Sequence, residues 1–138
     1  MIRLEHVNLV VKDIDESLQF YQAAFPHWFV RMRGNDSWYG TARQWCHFGD
    51  DYNFITFNDN GDCAARDLQS NAIGLAHFGF EVVDLAALEI RLKSAGFTPS
   101  HQGPQHQFRR NIYFIDPSGM EVEFVQYTSE IPAQRNSL

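Results

Sequence analysis

From Leu4 to Val11 apolar and polar residues alternate, with Val7, Leu9 and Val11 on one side of an extended chain and His6, Asn8 and Val10 on the other. This is the period of a half-buried strand. The period then lengthens. Ile14, Leu18, Tyr21 and Phe25 recur at helical spacing, Asp13 stands where it can cap the first turn, and Pro26 follows the last. A helix over 14–25, packed on the strand, is therefore predicted. Between Trp28 and Phe57 the apolar runs are short: Trp28 to Met32, Ala42 to Phe48 and Tyr52 to Phe57, separated by Gly34-Asn35-Asp36 and Gly49-Asp50-Asp51. These read as three strands joined by turns.

After a polar connection the pattern starts again. Leu75 to Asp84 can be laid on Leu4 to Asp13 at a constant offset, so that Leu75 falls on Leu4, His77 on His6 and Asp84 on Asp13. Leu85, Leu88, Leu92 and Ala95 mark a second helix, and Gly96 stands where a helix-ending glycine is expected. Thr98 to Gln107 reads as a loop. In Asn111 to Phe124, Asp116-Pro117-Ser118-Gly119 has the residues of a tight turn. It joins a strand with Tyr113 and Ile115 on one face to a strand with Glu121 and Glu123 on one face, Val122 and Phe124 lying opposite.

The chain thus reads as a duplicated β-α-β-β-β unit of the α+β class. Module one is expected over 1–58, a connection over 59–72 and module two over 73–128, together one domain, with a flexible tail over 129–138. Such repeats must be recognised before a fold is named. Each half-sheet has a second face to cover, so the modules are expected to pair as a curved mixed sheet with helices outside and a concave cleft between.

Composition narrows the function. At 138 residues there is material for one core. The formal charge of -6 and the presence of only two lysines argue against a nucleic-acid partner. No apolar run approaches the about 18 residues of a membrane span. The start Met1-Ile2-Arg3-Leu4-Glu5-His6 lacks a signal-peptide core, and Cys46 and Cys63 form no metal or redox spacing. The expectation is a cytoplasmic protein with free thiols.

The chemistry centres on Glu123, a carboxylate among Val122, Phe124 and Val125. Unpaired and buried, it would be very costly; it must face solvent or a cation. His6 and His77 occupy equivalent places on the first strand of each repeat. If the modules pair about a pseudo-twofold axis, these two imidazoles approach each other, and the last strand can add Glu123. Such a set suits Fe(II), Mn, Ni or Zn with open positions for substrate or water. Taken singly, a strand histidine is scaffold and Glu121 is solvated. His47 is a further candidate acid or base with a pKa near neutrality.

Leu4-Glu5-His6-Val7-Asn8-Leu9-Val10-Val11-Lys12-Asp13, Ala76-His77-Phe78-Gly79-Phe80 and Tyr113-Phe114-Ile115-Asp116-Pro117-Ser118-Gly119-Met120-Glu121-Val122-Glu123 resemble the vicinal oxygen chelate superfamily. It includes glyoxalase I, extradiol dioxygenases, fosfomycin-resistance enzymes, epimerases and bleomycin-resistance proteins, and the resemblance spans Met1 to Tyr127. It implies paired modules, a homodimer, and a divalent metal, Fe2+ ahead of Zn2+, Mn2+ or Ni2+, held by His6, His77 and Glu123. Laying Gly49 to Phe54 on Gly119 to Phe124 sets Asn53 opposite Glu123, so the fourth ligand of glyoxalase-type lyases is missing. Extradiol-dioxygenase-like chemistry on a small molecule chelated through vicinal oxygens is accordingly placed ahead of lyase or isomerase chemistry. Tyr113 matches a tyrosine that hydrogen-bonds substrate in extradiol enzymes, although core packing is its blander reading. Trp45, Asn53, Phe108 and Arg109 are expected to line the substrate cleft, with Arg110 as an alternative anion contact. The competing expectation is a non-catalytic, bleomycin-resistance-like protein that binds a small, cationic molecule in an acidic, aromatic cleft.

Overall fold

The computed structural model describes residues 1–138, which divide into two units, Met1–Ala64 and Ala65–Leu138. In unit 1 the chain runs β1 (His6–Val10), α1 (Ile14–Ala24), β2 (Phe29–Trp38), β3 (Thr41–Gly49) and β4 (Phe54–Asn58). Unit 2 repeats this as β5 (Phe78–Glu81), α2 (Leu85–Ser94), β6 (His101–Gln102), β7 (Arg109–Ile115) and β8 (Glu121–Tyr127), then adds α3 (Pro132–Arg135). Hydrogen bonding makes two four-stranded mixed sheets, ordered β1-β4-β3-β2 and β5-β8-β7-β6. In each, the first strand lies parallel to the last and the other pairs are antiparallel. The duplication is therefore real at the level of topology. No helix is long and apolar enough to cross a membrane.

Local chemistry explains both main helices. Asp13 accepts from the Glu16 amide at 2.8 Å, and Asp84 from the Ala87 amide at 2.9 Å, each satisfying a donor that the first helical turn leaves open. Gly96, at φ 93°, ends α2; the Phe97 amide donates to the Leu92 carbonyl and the Gly96 amide to the Lys93 carbonyl, the paired bonds of a Schellman ending. Ile14, Leu18 and Tyr21 of α1 are buried over Phe48, Ile55 and Phe57; Leu85, Leu88 and Leu92 of α2 are buried over Ile112, Phe114, Val122 and Phe124. Each sheet consequently has a helix-covered face and an opposite face free for chemistry.

Three details differ from the sequence expectation. Gly34-Asn35-Asp36 lies inside β2, and the turn falls at Tyr39 and Gly40, with φ of 50° and 80°, as a tight hairpin requires. Gly34 serves packing instead: a Cβ there would lie 2.4 Å from the Trp45 ring. The Thr98–Gln107 stretch contributes β6. The tail, expected to be flexible, contains α3, where Arg135 pairs with Glu81 and stacks over Tyr127 at 3.8 Å.

Candidate metal and substrate site

The strand registers decide which side chains share the helix-free faces. In unit 1, His6 pairs with Phe54, Asn8 with Thr56, and Thr56 with His47, which itself pairs with Met32. In unit 2, Gly79 pairs with Glu123, Glu123 with Tyr113, and Tyr113 with His101. Matching the two ladders makes Thr56, rather than Asn53, the counterpart of Glu123. The same match puts Phe54 opposite Glu121 and His47 opposite Tyr113. Asn53 is used differently, for its side-chain amide donates to the Leu4 carbonyl at 2.6 Å and ties the start of the chain to β4. Aligning Gly49 with Gly119 misses this because Gly49 ends β3, the place that Ile115 takes in β7, whereas Gly119 lies within the turn before β8.

Unit 2 gathers the polar cluster. His77 Nε2 faces Glu123 Oε2 at 3.2 Å and its Nδ1 faces Glu121 Oε1 at 3.6 Å. The Glu123 side chain is 16% exposed, and that of Glu121 18%. Glu121 is thus a half-buried neighbour of His77 rather than the solvated residue expected. Asn111 donates to Glu123 Oε1, and Tyr113 pairs with Glu123 across the β7–β8 ladder. Burial, followed by the charge of Glu123, holds the Tyr113 phenol above its ordinary pKa, so it remains a proton donor. His101 stacks on Tyr113 with ring centroids 4.2 Å apart. Gly79 leaves the flank of the carboxylate open, where a Cβ would stand 3.5 Å from Glu123 Oε2.

Unit 1 presents an aromatic row. His6 stacks on Phe54 at 4.9 Å, Phe54 on His47 at 4.7 Å, and His47 meets Trp45 at 5.0 Å. The Arg31 guanidinium lies 4.6 Å over the Phe54 ring, a cation–π contact. His6 Nδ1 is 2.8 Å from Glu5 Oε2. Desolvation and the nearby Arg31 hold the His47 pKa below its usual value, favouring neutral imidazole.

The remaining sequence candidates have structural partners. Arg109 Nη1 donates to the Arg135 and Ser137 carbonyls at 3.1 and 3.0 Å, anchoring the tail. Arg110 pairs with Glu89 of α2, away from the Glu123 face. Phe108 is half-buried beside His106, with ring centroids 6.1 Å apart. Sequence reasoning does not single out Glu5, Glu121, Asn111, His101 or Arg31 as parts of a site. For Glu121 and Asn111 a signal exists, because each lies two residues along a strand from Glu123 or Tyr113 and shares its face.

Within neither unit do three His, Cys, Asp or Glu side chains gather as a metal site. The donor chemistry nevertheless fits a divalent ion. Glu123 is anchored by Asn111 at one oxygen and presents the other to His77 Nε2 beside Gly79. Both candidate histidines have Nδ1 turned toward a carboxylate, the usual setting of a metal-binding imidazole.

Comparison with known proteins agrees with this fold. A glyoxylase/bleomycin resistance protein/dioxygenase domain from Frankia sp. EAN1pec superposes with a TM-score of 0.75 at 23% identity, covering 99% of each chain. A glyoxalase family protein from Bacillus cereus gives a TM-score of 0.75 at 16% identity, over 94% of this chain and 96% of that one. The fosfomycin resistance protein FosX from Listeria monocytogenes, complexed as a variant with Mn(II) and 1S,2S-dihydroxypropylphosphonic acid, gives 0.72 at 21% identity, over 99% of this chain and 100% of that one. No curated protein matches the sequence. The profile of the Glyoxalase/Bleomycin resistance protein/Dioxygenase superfamily matches residues 3–124, and the chain belongs to that superfamily.

Proposed function

We propose that the protein is a metal-dependent enzyme that takes a small molecule through two adjacent oxygens, with His6, His77 and Glu123 as the ligands of one divalent ion. The observation that supports this reading most is the Glu123 carboxylate, half-buried, anchored by Asn111 and facing His77 Nε2. A bound divalent ion supplies Lewis-acid polarisation of substrate oxygens. The chain's own groups complete the site. Tyr113, kept protonated by burial and by Glu123, donates a hydrogen bond. His47, biased toward neutrality, accepts a proton on the face it shares with His6.

Thr56 cannot replace a fourth strong ligand, so the three-ligand reading favours extradiol-type oxygenase chemistry over a glyoxalase-type lyase. Iron is the first metal to supply. The FosX neighbour, whose structure holds Mn(II) and a compound with vicinal hydroxyls, makes manganese the second. Arg31 over Phe54 disfavours a cationic ligand on the aromatic row, which weighs against a sequestration role for a cationic drug.

The test is metal analysis of protein loaded with Fe(II) or Mn(II), followed by oxygen-uptake assays on catechols. One equivalent of metal in the wild type, lost in both His77→Ala and Glu123→Ala, is expected. Stoichiometric metal without turnover of any catechol would remove the oxygenase assignment, and retention of metal in both variants would remove the ligand set.

A further inference from the structure

The two candidate metal histidines are repeat-equivalent, yet the carboxylates at their Nδ1 atoms come from different places. In unit 1 the residue preceding the histidine, Glu5, supplies it at 2.8 Å. The equivalent residue in unit 2 is Ala76, which can supply nothing. There the carboxylate is Glu121, on the neighbouring strand β8, 3.6 Å from His77 Nδ1. The register counterpart of Glu121 in unit 1 is Phe54, whose ring stacks on His6 at 4.9 Å. Each module therefore has one ring-orienting carboxylate, and each lacks the one that its twin uses.

We propose that Glu5 and Glu121 are positioning residues, Glu5 through a hydrogen bond at the Nδ1 of His6 and Glu121 as a charge facing the Nδ1 of His77 from 3.6 Å, so that Nε2 is the nitrogen each ring presents to the metal. The inference rests on the metal reading above. An imidazole can bind through either nitrogen, and a hydrogen bond at one fixes which remains. In unit 1 the Phe54 stack sets the plane of the His6 ring and Glu5 sets its rotation. In unit 2, Tyr113 meets His77 edge-on at 5.6 Å, and Glu121 takes the orienting part from across the strand pair. The half-buried Glu121, 18% exposed, is better shielded than Glu5, 65% exposed. The larger effect accordingly belongs to Glu121.

The test uses calorimetric titration of the full-length protein with Mn(II) and with Zn(II), and long-range 1H–15N spectra of the histidine rings. Glu5→Ala and Glu121→Ala are each expected to weaken metal binding by about 10–100-fold, the range typical of lost outer-shell partners. Glu5→Gln, which keeps an acceptor but loses the charge, should recover most of that loss, whereas Glu121→Gln, which loses the charge, should not. In metal-free wild-type protein His6 should be the Nδ1–H tautomer, moving to Nε2–H in Glu5→Ala. In Zn(II)-loaded protein His77 should keep Nδ1–H.

Alanine variants that bind metal as tightly as wild type would overturn the proposal while leaving the metal site intact. So would a Glu5→Gln variant no better than Glu5→Ala, a Glu121→Gln variant as good as wild type, or a metal-free His6 already in the Nε2–H form. A wild type that takes up neither ion would overturn the metal reading itself and this inference with it. That outcome is recognisable before any variant is made.

Discussion

The two modules share strand order, helix caps and aromatic cores, yet their helix-free faces carry different chemistry. Along matched ladder positions unit 1 offers His6, Phe54, Thr56 and His47, and unit 2 offers His77, Glu121, Glu123 and Tyr113. One face is an aromatic row under a guanidinium; the other holds two half-buried carboxylates around an imidazole. The helix-covered sides are constrained by packing, where shape and apolarity both matter. The free faces are not so constrained, and there the duplicates diverge. The difference sets carboxylates on the free face of unit 2 and stacked rings on that of unit 1.

The strongest challenge to that contrast is substitution at matched positions. Glu123→Ala is expected to abolish stoichiometric divalent metal, whereas Thr56→Val should leave it unchanged; equal loss in both would make the faces equivalent. The cores should behave alike. Phe57 and Phe124 are both fully buried, so Phe57→Ala and Phe124→Ala should each cost about 3–5 kcal/mol in denaturant unfolding. A large disparity would show that one module depends on the other for its stability. Smaller and again symmetrical, Asp13→Ala and Asp84→Ala should each cost about 1 kcal/mol, read by thermal denaturation.

The mildest effect concerns pH and unit 1 alone. The folded-state pKa of His47 is depressed, with burial as its main cause and Arg31 next. The unfolded chain therefore binds a proton more readily than the folded one, and stability falls as pH drops through about 6.5. His47→Phe should flatten this part of the stability profile between about pH 7 and 5.5, whereas Tyr113→Phe should not. A profile unchanged by His47→Phe would show that His47 does not distinguish unit 1 in this way.

Much of the fold is legible in the sequence because it rests on local rules. Asp13 and Asp84 announce helix starts, Gly96 a helix end, and Asp116-Pro117-Ser118-Gly119 a turn; the structure realises all four. Gly34 misleads because a glycine that admits a packed indole and a glycine that makes a turn look alike in sequence. The Tyr39-Gly40 turn is hidden because tyrosine rarely takes positive φ, which is tolerated here at a hairpin tip where nothing crowds Gly40. Arg109 looks available for substrate in the sequence, but its partners lie 26 and 28 residues away in the tail.

The duplication and, within each repeat, the strand faces on which His6, His77 and Glu123 lie can be read from the order of residues, because they follow from periodicity, while the superfamily is legible through the resemblance of three motifs. Register cannot be read that way. A side chain's strand partner depends on hydrogen bonding between segments dozens of residues apart, and a shift of a few residues exchanges Asn53 for Thr56 as the counterpart of Glu123. Folding also brings Glu121 to His77 while setting Phe54 against His6. The ladder of β5 and β8, more than the carboxylate by itself, gives Glu123 its surroundings.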